Sequence, residues 1–319
     1  MRVLFVHSGN SERYPVSPFV LAQAGSLRAE GVDVGFFAVK GRGLGYLRNV
    51  GPLRARIRAE RPDVVHAHYA LCGWVAVLAR DGRPIAVSFM GDDAQGTFNA
   101  NGGRTLGGRV LVLLARLLQP FVQAVIVKSE AMARVVWRRR ILHVVPNGVD
   151  LDVFRPGAVT EPPHGIDPAK KHVLFLGDPA DPNKNIRLVR DAMPLLDRAD
   201  VALAAPHGIA HAGVVRWMNA ANALALCSFA EGSPNVIKEA MAMGLPIVTV
   251  RAGDAAWVVG DTPGCFVAGY TAADFADKLE RALVFEGRTN GRARIIGLGL
   301  DAPSVARKLK AIYAALVRP

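Results

Sequence analysis

ALALCSFAEGSPNVIKEAMAMGLPIVTV, residues 223–250, decides the fold. Its ends, ALALCS (223–228) and PIVTV (246–250), are short apolar runs with no polar alternation. Such runs suit strands covered on both faces. Between them Ser233 is a good N-cap and Pro234 a good first helical residue. Val236, Ile237, Ala240 and Met241 then give a helix its apolar face. Gly244 ends that helix and Pro246 opens the next strand. Strand, helix and strand in this order predict two parallel strands joined through a helix.

The same unit recurs outward in both directions. Upstream lie RVLFVHS (2–8), DVGFFAV (33–39), DVVHAH (63–68), PIAVSFM (84–90), AVIVKS (124–129) and LHVVP (142–146). Helical stretches such as SPFVLAQAGSLRAEG (17–31) separate them. PGAVTEPPHGIDPAKK (156–171) is rich in Pro and Gly, lacks periodicity and reads as a linker. The pattern restarts after it with HVLFLG (172–177) and DVALAA (200–205), and closes with CFVAG (265–269). The expected fold is α/β: two tandem Rossmann-like, doubly wound parallel-sheet domains facing a cleft. The expected division is 1–155, 156–302, and a final amphipathic helix at 303–319 that packs back on the first domain. Ligands of such sheets bind beyond the carboxyl ends of the strands. Ser8-Gly9-Asn10, Gly91-Asp92-Asp93, Gly177-Asp178 and Arg251-Ala252-Gly253-Asp254 fall there, although plain turns use the same residue types.

Composition limits the function. A chain of 319 residues, 51% hydrophobic and 21% charged, fits a soluble globular protein of two domains. The longest apolar run, 110–127, is broken by Arg116, Gln119 and Pro120 and does not read as a membrane span. MRVLFVHSGN reads as a first strand rather than a leader. Cys72, Cys227 and Cys265 are odd in number and far apart, as in a reducing compartment. The net charge of +12 is uneven: residues 1–155 carry 21 basic and 11 acidic residues, and the remainder 18 and 16. That basic half either solubilises the chain or attracts phosphate. Arg48, Arg54, Arg56, Arg58 and Arg61 form either a solvated face or one that meets anionic lipid. Nucleic acid is not an expected partner, because aromatic residues are only 7% and no stacking platform is visible. No G-x-G-x-x-G follows the first strand, and no G-x-S-x-G occurs. His66 and His68 share one face of a strand but lack further ligands at metal spacing, so no metal site is expected.

Glu231 precedes the helix start and Glu239 lies a turn inside it. Helix starts bind anions, and carboxylates accept from vicinal hydroxyls. A diphosphate at Asn235 and Val236, with hydroxyls on each glutamate, satisfies both rules. On spacing alone the simpler reading is favoured, with Glu231 a capping charge and Glu239 an ordinary exposed helix residue.

EGSPNVIKEAMAMGLPIVTV closely resembles the donor-binding signature of glycosyltransferase family 4, retaining enzymes of the GT-B fold. The pattern is E-x7-E, met by Glu231 and Glu239. HVVPNGVDLDVFRP (143–156), FLGDPADPNKNIRLV (175–189), VVRWMNAANALALCS (214–228) and RPDVVHAHYA (61–70) are similar to further segments of that family, in order. The resemblance implies a nucleotide-diphosphate sugar (UDP- or GDP-sugar) as donor and no cofactor or metal. It implies a saccharide or lipid-linked hydroxyl acceptor, in cell-surface polysaccharide or glycolipid synthesis. It assigns the donor sugar to Glu231, the ribose to Glu239 and the diphosphate to Lys184. Gly232, Ser233, Pro234, Asn235 and Val236 would supply the loop and its amides, and Gly9 would approach the donor from the first domain. His68, Asp92 and Asp93 stand on the acceptor side. A donor phosphate oxygen would take the acceptor proton. The expected location is the cytoplasm, peripheral to the inner face of the membrane where the basic domain docks.

Two positions depart from the family pattern. Asp178 stands where an arginine usually follows the glycine, and Met90 stands where a histidine is frequent. Arg251 or Arg187 would have to replace the missing cation. The alternative implied by these departures is a nucleotide-sugar-binding partner of another transferase, with little or no turnover.

Overall fold

The computed structural model describes residues 1–12, 14–99, 102–157 and 161–318. The chain divides into two compact units. The first comprises residues 1–97, 104–148 and 302–319, and the second residues 98–103 and 149–301.

The first unit holds a six-stranded sheet of β1 (Arg2–Ser8), β2 (Asp33–Val39), β3 (Val64–His68), β4 (Ile85–Ser88), β5 (Ala124–Val127) and β6 (Leu142–Val144). Their order is β2-β1-β3-β4-β5-β6, and every pairing is parallel. β1 shows why its sequence does not alternate. Val3, Leu4, Phe5 and Val6 are all fully buried. Successive side chains point to opposite faces, so Leu4 and Val6 enter one core while Val3 and Phe5 enter the other. Leu53, Ile57, Val75 and Leu118 from three helices cover the first face. Val20 and Leu27 from the helix Pro18–Ala29 cover the second, with Leu309 and Tyr313 from the helix Ala302–Val317. Tyr313 is buried, and its hydroxyl lies 2.6 Å from His66 Nδ1.

The second unit holds β7 (Lys171–Leu174), β8 (Val201–Ala204), β9 (Ala223–Leu226), β10 (Ile247–Val250) and β11 (Cys265–Ala268). They form a parallel sheet in the order β11-β10-β9-β7-β8. All eleven apolar runs read from the sequence form strands. The unit begins at Val149 rather than at 156. Val149 and Phe154 are buried in its core. The Arg292 guanidinium fixes that segment by donating to Leu151 O and Phe154 O, each at 2.9 Å. Between Gly157 and Lys171 the described residues form no helix or strand, and 158–160 lie outside them. Among the described residues no helix is long and apolar enough to cross a membrane.

Candidate active site

The second unit gathers most of the expected donor residues beyond the carboxyl ends of β7, β9 and β10. The turn Asp181–Asn185 is built by its own side chains. Asp181 accepts from Asn183 N at 2.9 Å, and Asn185 takes the left-handed conformation at φ 50°. Asn183 then binds the chain beyond β9 twice, donating to Ala230 O at 2.9 Å and accepting from Ala230 N at 3.1 Å. Asn185 donates to Cys227 O at 3.2 Å, and the buried Cys227 thiol donates to Asn185 O at 3.0 Å. The two flanking asparagines thus lock the turn, and Lys184 between them is delivered to Glu231. Its Nζ lies 2.7 Å from Glu231 Oε1, with side chains 29% and 15% exposed. Gly177 lies close to this turn: a Cβ there would fall 2.8 Å from the Phe175 ring and 3.1 Å from Lys184 Cβ.

The helix spans Asn235–Ala242, one residue later than expected. Pro234 is its cap, with ψ 118° and no side-chain capping bond. Ser233 is buried and its hydroxyl is engaged by Lys238 Nζ at 2.9 Å. Gly232 and Pro234 are also buried, whereas Asn235 and Val236 are half-buried.

Lys238 was not anticipated. It is 1% exposed, and burial lowers its pKa to about 8 against the opposing pull of Asp254 and Glu239. Asp254 faces Lys238 and Ser233 from the loop after β10, and burial raises its pKa. That loop rests on the turn before the helix. Gly253 has φ +59°, and a Cβ there would fall 2.7 Å from Glu231 O. The only sequence signal for Lys238 is faint: NVIKEAMA has three polar residues, too few for a fully solvated helix face.

Glu239 is not the ordinary exposed residue that spacing allowed. Its side chain is 12% exposed. Burial raises its pKa to about 7, with Lys238 pulling the other way. His211 Nε2 lies 4.0 Å from its Oε1, and burial lowers the His211 pKa. His211 was also missed, since a single histidine in an irregular stretch carries no pattern.

Asp178 acts as a turn builder, accepting from Ala180 N at 2.9 Å. Neither expected substitute cation is clearly recruited. Arg187 is paired with Asp191 at 3.3 Å and its side chain is 88% exposed, and Arg251 is exposed.

The remaining sequence candidates belong to the first unit. Gly9 follows β1 and donates its N–H to Val39 O at 2.8 Å. Asp92 is exposed. Asp93 is fully buried and clamps the backbone, accepting from Met90 N and Ala70 N at 2.8 Å and from Gly91 N at 3.1 Å. These bonds make it a scaffold for the loop after β4; burial nevertheless raises its pKa to about 6. His68 is buried, and its ring centroid lies 4.3 Å from that of His66. Burial and neighbouring positive groups hold its pKa well below the usual histidine value. Among the described residues no three His, Cys, Asp or Glu side chains converge as a metal site requires.

Comparison with known proteins bears on the family and the fold. Residues 9–153 match the family model described as Glycosyltransferase Family 4, and residues 206–284 match that of Glycosyl transferases group 1. The D-inositol 3-phosphate glycosyltransferase of Mycobacterium sp. (strain KMS) is 28% identical over 291 residues, covering 77% of this chain. This chain spans 65% of the length of that relative. The protein of the same name from Kribbella flavida is 27% identical over 302 residues, covering 76% of this chain and 70% of its own. Among solved structures, sucrose-phosphate synthase from Thermosynechococcus elongatus superposes with a TM-score of 0.75 at 17% identity, covering 99% of this chain and 98% of that one. HepE of Anabaena in complex with UDP and glucose gives 0.70 at 17% identity, covering 99% and 100%. These likenesses establish the GT-B fold.

Proposed function

The chain belongs to glycosyltransferase family 4, and from that premise we propose that it is a retaining transferase moving a sugar from a UDP-sugar to a hydroxyl acceptor. The observation that carries this reading is the Lys184–Glu231 contact at 2.7 Å, set before a helix whose Glu239 is held with little solvent. The diphosphate would lie between Lys184 and the amides of Asn235 and Val236. Glu231 would orient Lys184 and accept from the donor sugar. Glu239 would accept from the ribose hydroxyls about 6 Å further along the helix, at about 1.5 Å per residue. UDP is favoured over GDP because HepE, which shares the fold, has been solved with UDP and glucose.

As the glycosidic bond breaks, negative charge grows on the diphosphate while the sugar becomes cationic. Lys184 and the helix start tighten on that charge in the transition state, which is where binding accelerates a reaction. In this reading the leaving group needs no metal, and a donor phosphate oxygen takes the acceptor proton. Polysaccharide or glycolipid synthesis remains the proposed setting. The test is calorimetric titration of UDP and GDP into the wild type, Glu239→Ala and Lys184→Ala. The expected result is binding of UDP with most of the affinity lost in both variants. If neither nucleotide binds the folded wild type, the reading fails.

A further inference from the structure

We propose that the helix Leu106–Leu118 of the first unit is a docking surface for an anionic lipid bilayer. Leu106, Val110, Leu113 and Leu117 are 79%, 49%, 54% and 52% exposed. At about 100° per residue they fall within a stripe about 60° wide on one side of the helix. The opposite side carries Gly108, Ala115 and Leu118, which are buried. The helix is therefore apolar on both sides, and only one side has a protein core to meet.

Two aromatic side chains extend the stripe at the carboxyl end. Trp137 is 54% exposed, and its indole N–H donates to Arg116 O at 3.1 Å, which holds the ring against the last turn. Phe121 follows the helix and is 45% exposed. Aromatic rings beside an aliphatic face are the side chains that settle at the headgroup level.

Charge selects the occupant. Arg109 and Arg116 flank the stripe on one side, about 60° to 80° from Leu106. Both are exposed, and among the described residues neither pairs with a carboxylate. Residues 94–149 contain eight Lys or Arg and a single acid, Glu130. A second protein would need a complementary acidic rim, and this surface does not offer one to another copy of the chain. An anionic bilayer meets both features at once, taking up the apolar stripe and attracting the arginines. The basic stretch singled out from the sequence is less suited. There Arg56 pairs with Glu60 at 2.6 Å, Arg58 with Asp81 at 3.6 Å, and Arg54 donates to Leu78 O at 2.6 Å.

Docking is independent of the transfer reading, since vesicle binding and nucleotide binding are measured separately. The full chain is sedimented with vesicles of phosphatidylcholine alone, or with about 30% phosphatidylglycerol, at low and high salt. The expected result is salt-sensitive partition onto the anionic vesicles only. At about 1 kcal/mol per arginine, Arg109→Gln with Arg116→Gln should reduce partition about thirtyfold. Leu113→Glu with Leu117→Glu should reduce it at least about tenfold, with circular dichroism unchanged. The proposal is overturned if the wild type stays in the supernatant, or if the leucine variant partitions like the wild type. It is also overturned if the chain is a dimer that this variant splits while vesicle binding persists, because a second copy would then own the surface.

Discussion

Replacing Glu239 by glutamine should make the second unit more stable, and increasingly so as pH rises. The Glu239 pKa stands at about 7 in the folded chain against an ordinary value of 4.5. The folded state thus holds the proton more tightly than the unfolded state. Its favourable contribution is complete below about pH 4.5 and is lost as pH rises through about 7. For these two values, linkage gives a loss of about 0.8 kcal/mol at pH 5 and about 3.3 kcal/mol at pH 8. Glutamine cannot ionise, so the variant gains about 2.5 kcal/mol on the wild type between those pH values. Lys238 moves the opposite way, its contribution being lost as pH falls through about 8. It is present in both proteins and cancels to first order. The assay is amide exchange at Leu224 and Val248, buried in β9 and β10. Comparing variant and wild type at the same pH removes the intrinsic pH dependence of exchange. Their protection ratio should grow about seventyfold from pH 5 to pH 8. A ratio that does not change would mean that Glu239 ionises as it would in water, and the burial argument would be wrong.

Lys184→Ala should lower turnover of a UDP-sugar by about a hundredfold to a thousandfold, the usual loss of one transition-state charge contact; a steady-state assay with unchanged kcat would remove Lys184 from the mechanism. Lys238→Met should retain the fold, because a buried ammonium gives way to an apolar chain of similar length. It should still weaken nucleotide binding by freeing Ser233 and the turn it holds, and titration showing unaltered affinity would reduce Lys238 to packing. Gly253→Val should destabilise the second unit by about 1–3 kcal/mol, since a β-branched residue is strained at positive φ and its Cβ would press on Glu231 O. A thermal melt within a degree of the wild type would contradict it.

Apolar runs were legible because burial on both faces removes polar alternation, as the paired cores around β1 show. The helix starts one residue later than its sequence signals imply, because the Ser233 hydroxyl is taken by Lys238 instead of capping. Sequence alone could not show that Lys238 would reach it from five residues on. The second unit starts at Val149, ahead of the Pro- and Gly-rich stretch from 156 that marks a linker in the sequence, because Val149 and Phe154 are buried in its core. Asp93 looked like a strand-end ligand. Its three backbone bonds depend on how Ala70, Met90 and Gly91 converge, which no linear pattern encodes. The Asn183–Lys184–Asn185 turn was read only through its resemblance, and its physical reason emerges from the contacts: each asparagine spends its amide on the chain beyond β9.

Spacing left two readings of Glu239 open, a solvated helix residue or an acceptor awaiting hydroxyls. A carboxylate is acceptor-only and loses much when removed from water without donors. Glu239 is only 12% exposed, and its nearest ionic partner is His211 at 4.0 Å, beyond hydrogen-bond length. Lys238 is the adjacent cation, yet its Nζ is directed to Ser233 Oγ and O at 2.9 and 3.4 Å. Burial therefore raises the pKa of Glu239 with little direct compensation. A solvated residue would have no such shift, and a purely structural one would be expected to own its donors. A ribose diol supplies two hydroxyl donors at once, so binding it would meet the demand that the fold creates. The same logic separates the glutamates. Glu231 is already engaged by Lys184, so in the proposed reading it would orient that cation as well as meet the donor sugar, whereas Glu239 would act by accepting from the ribose. Glutamine at 239 should accordingly keep part of the nucleotide affinity through its amide oxygen, and alanine should lose nearly all of it. Wild-type affinity in both variants would assign Glu239 to packing alone.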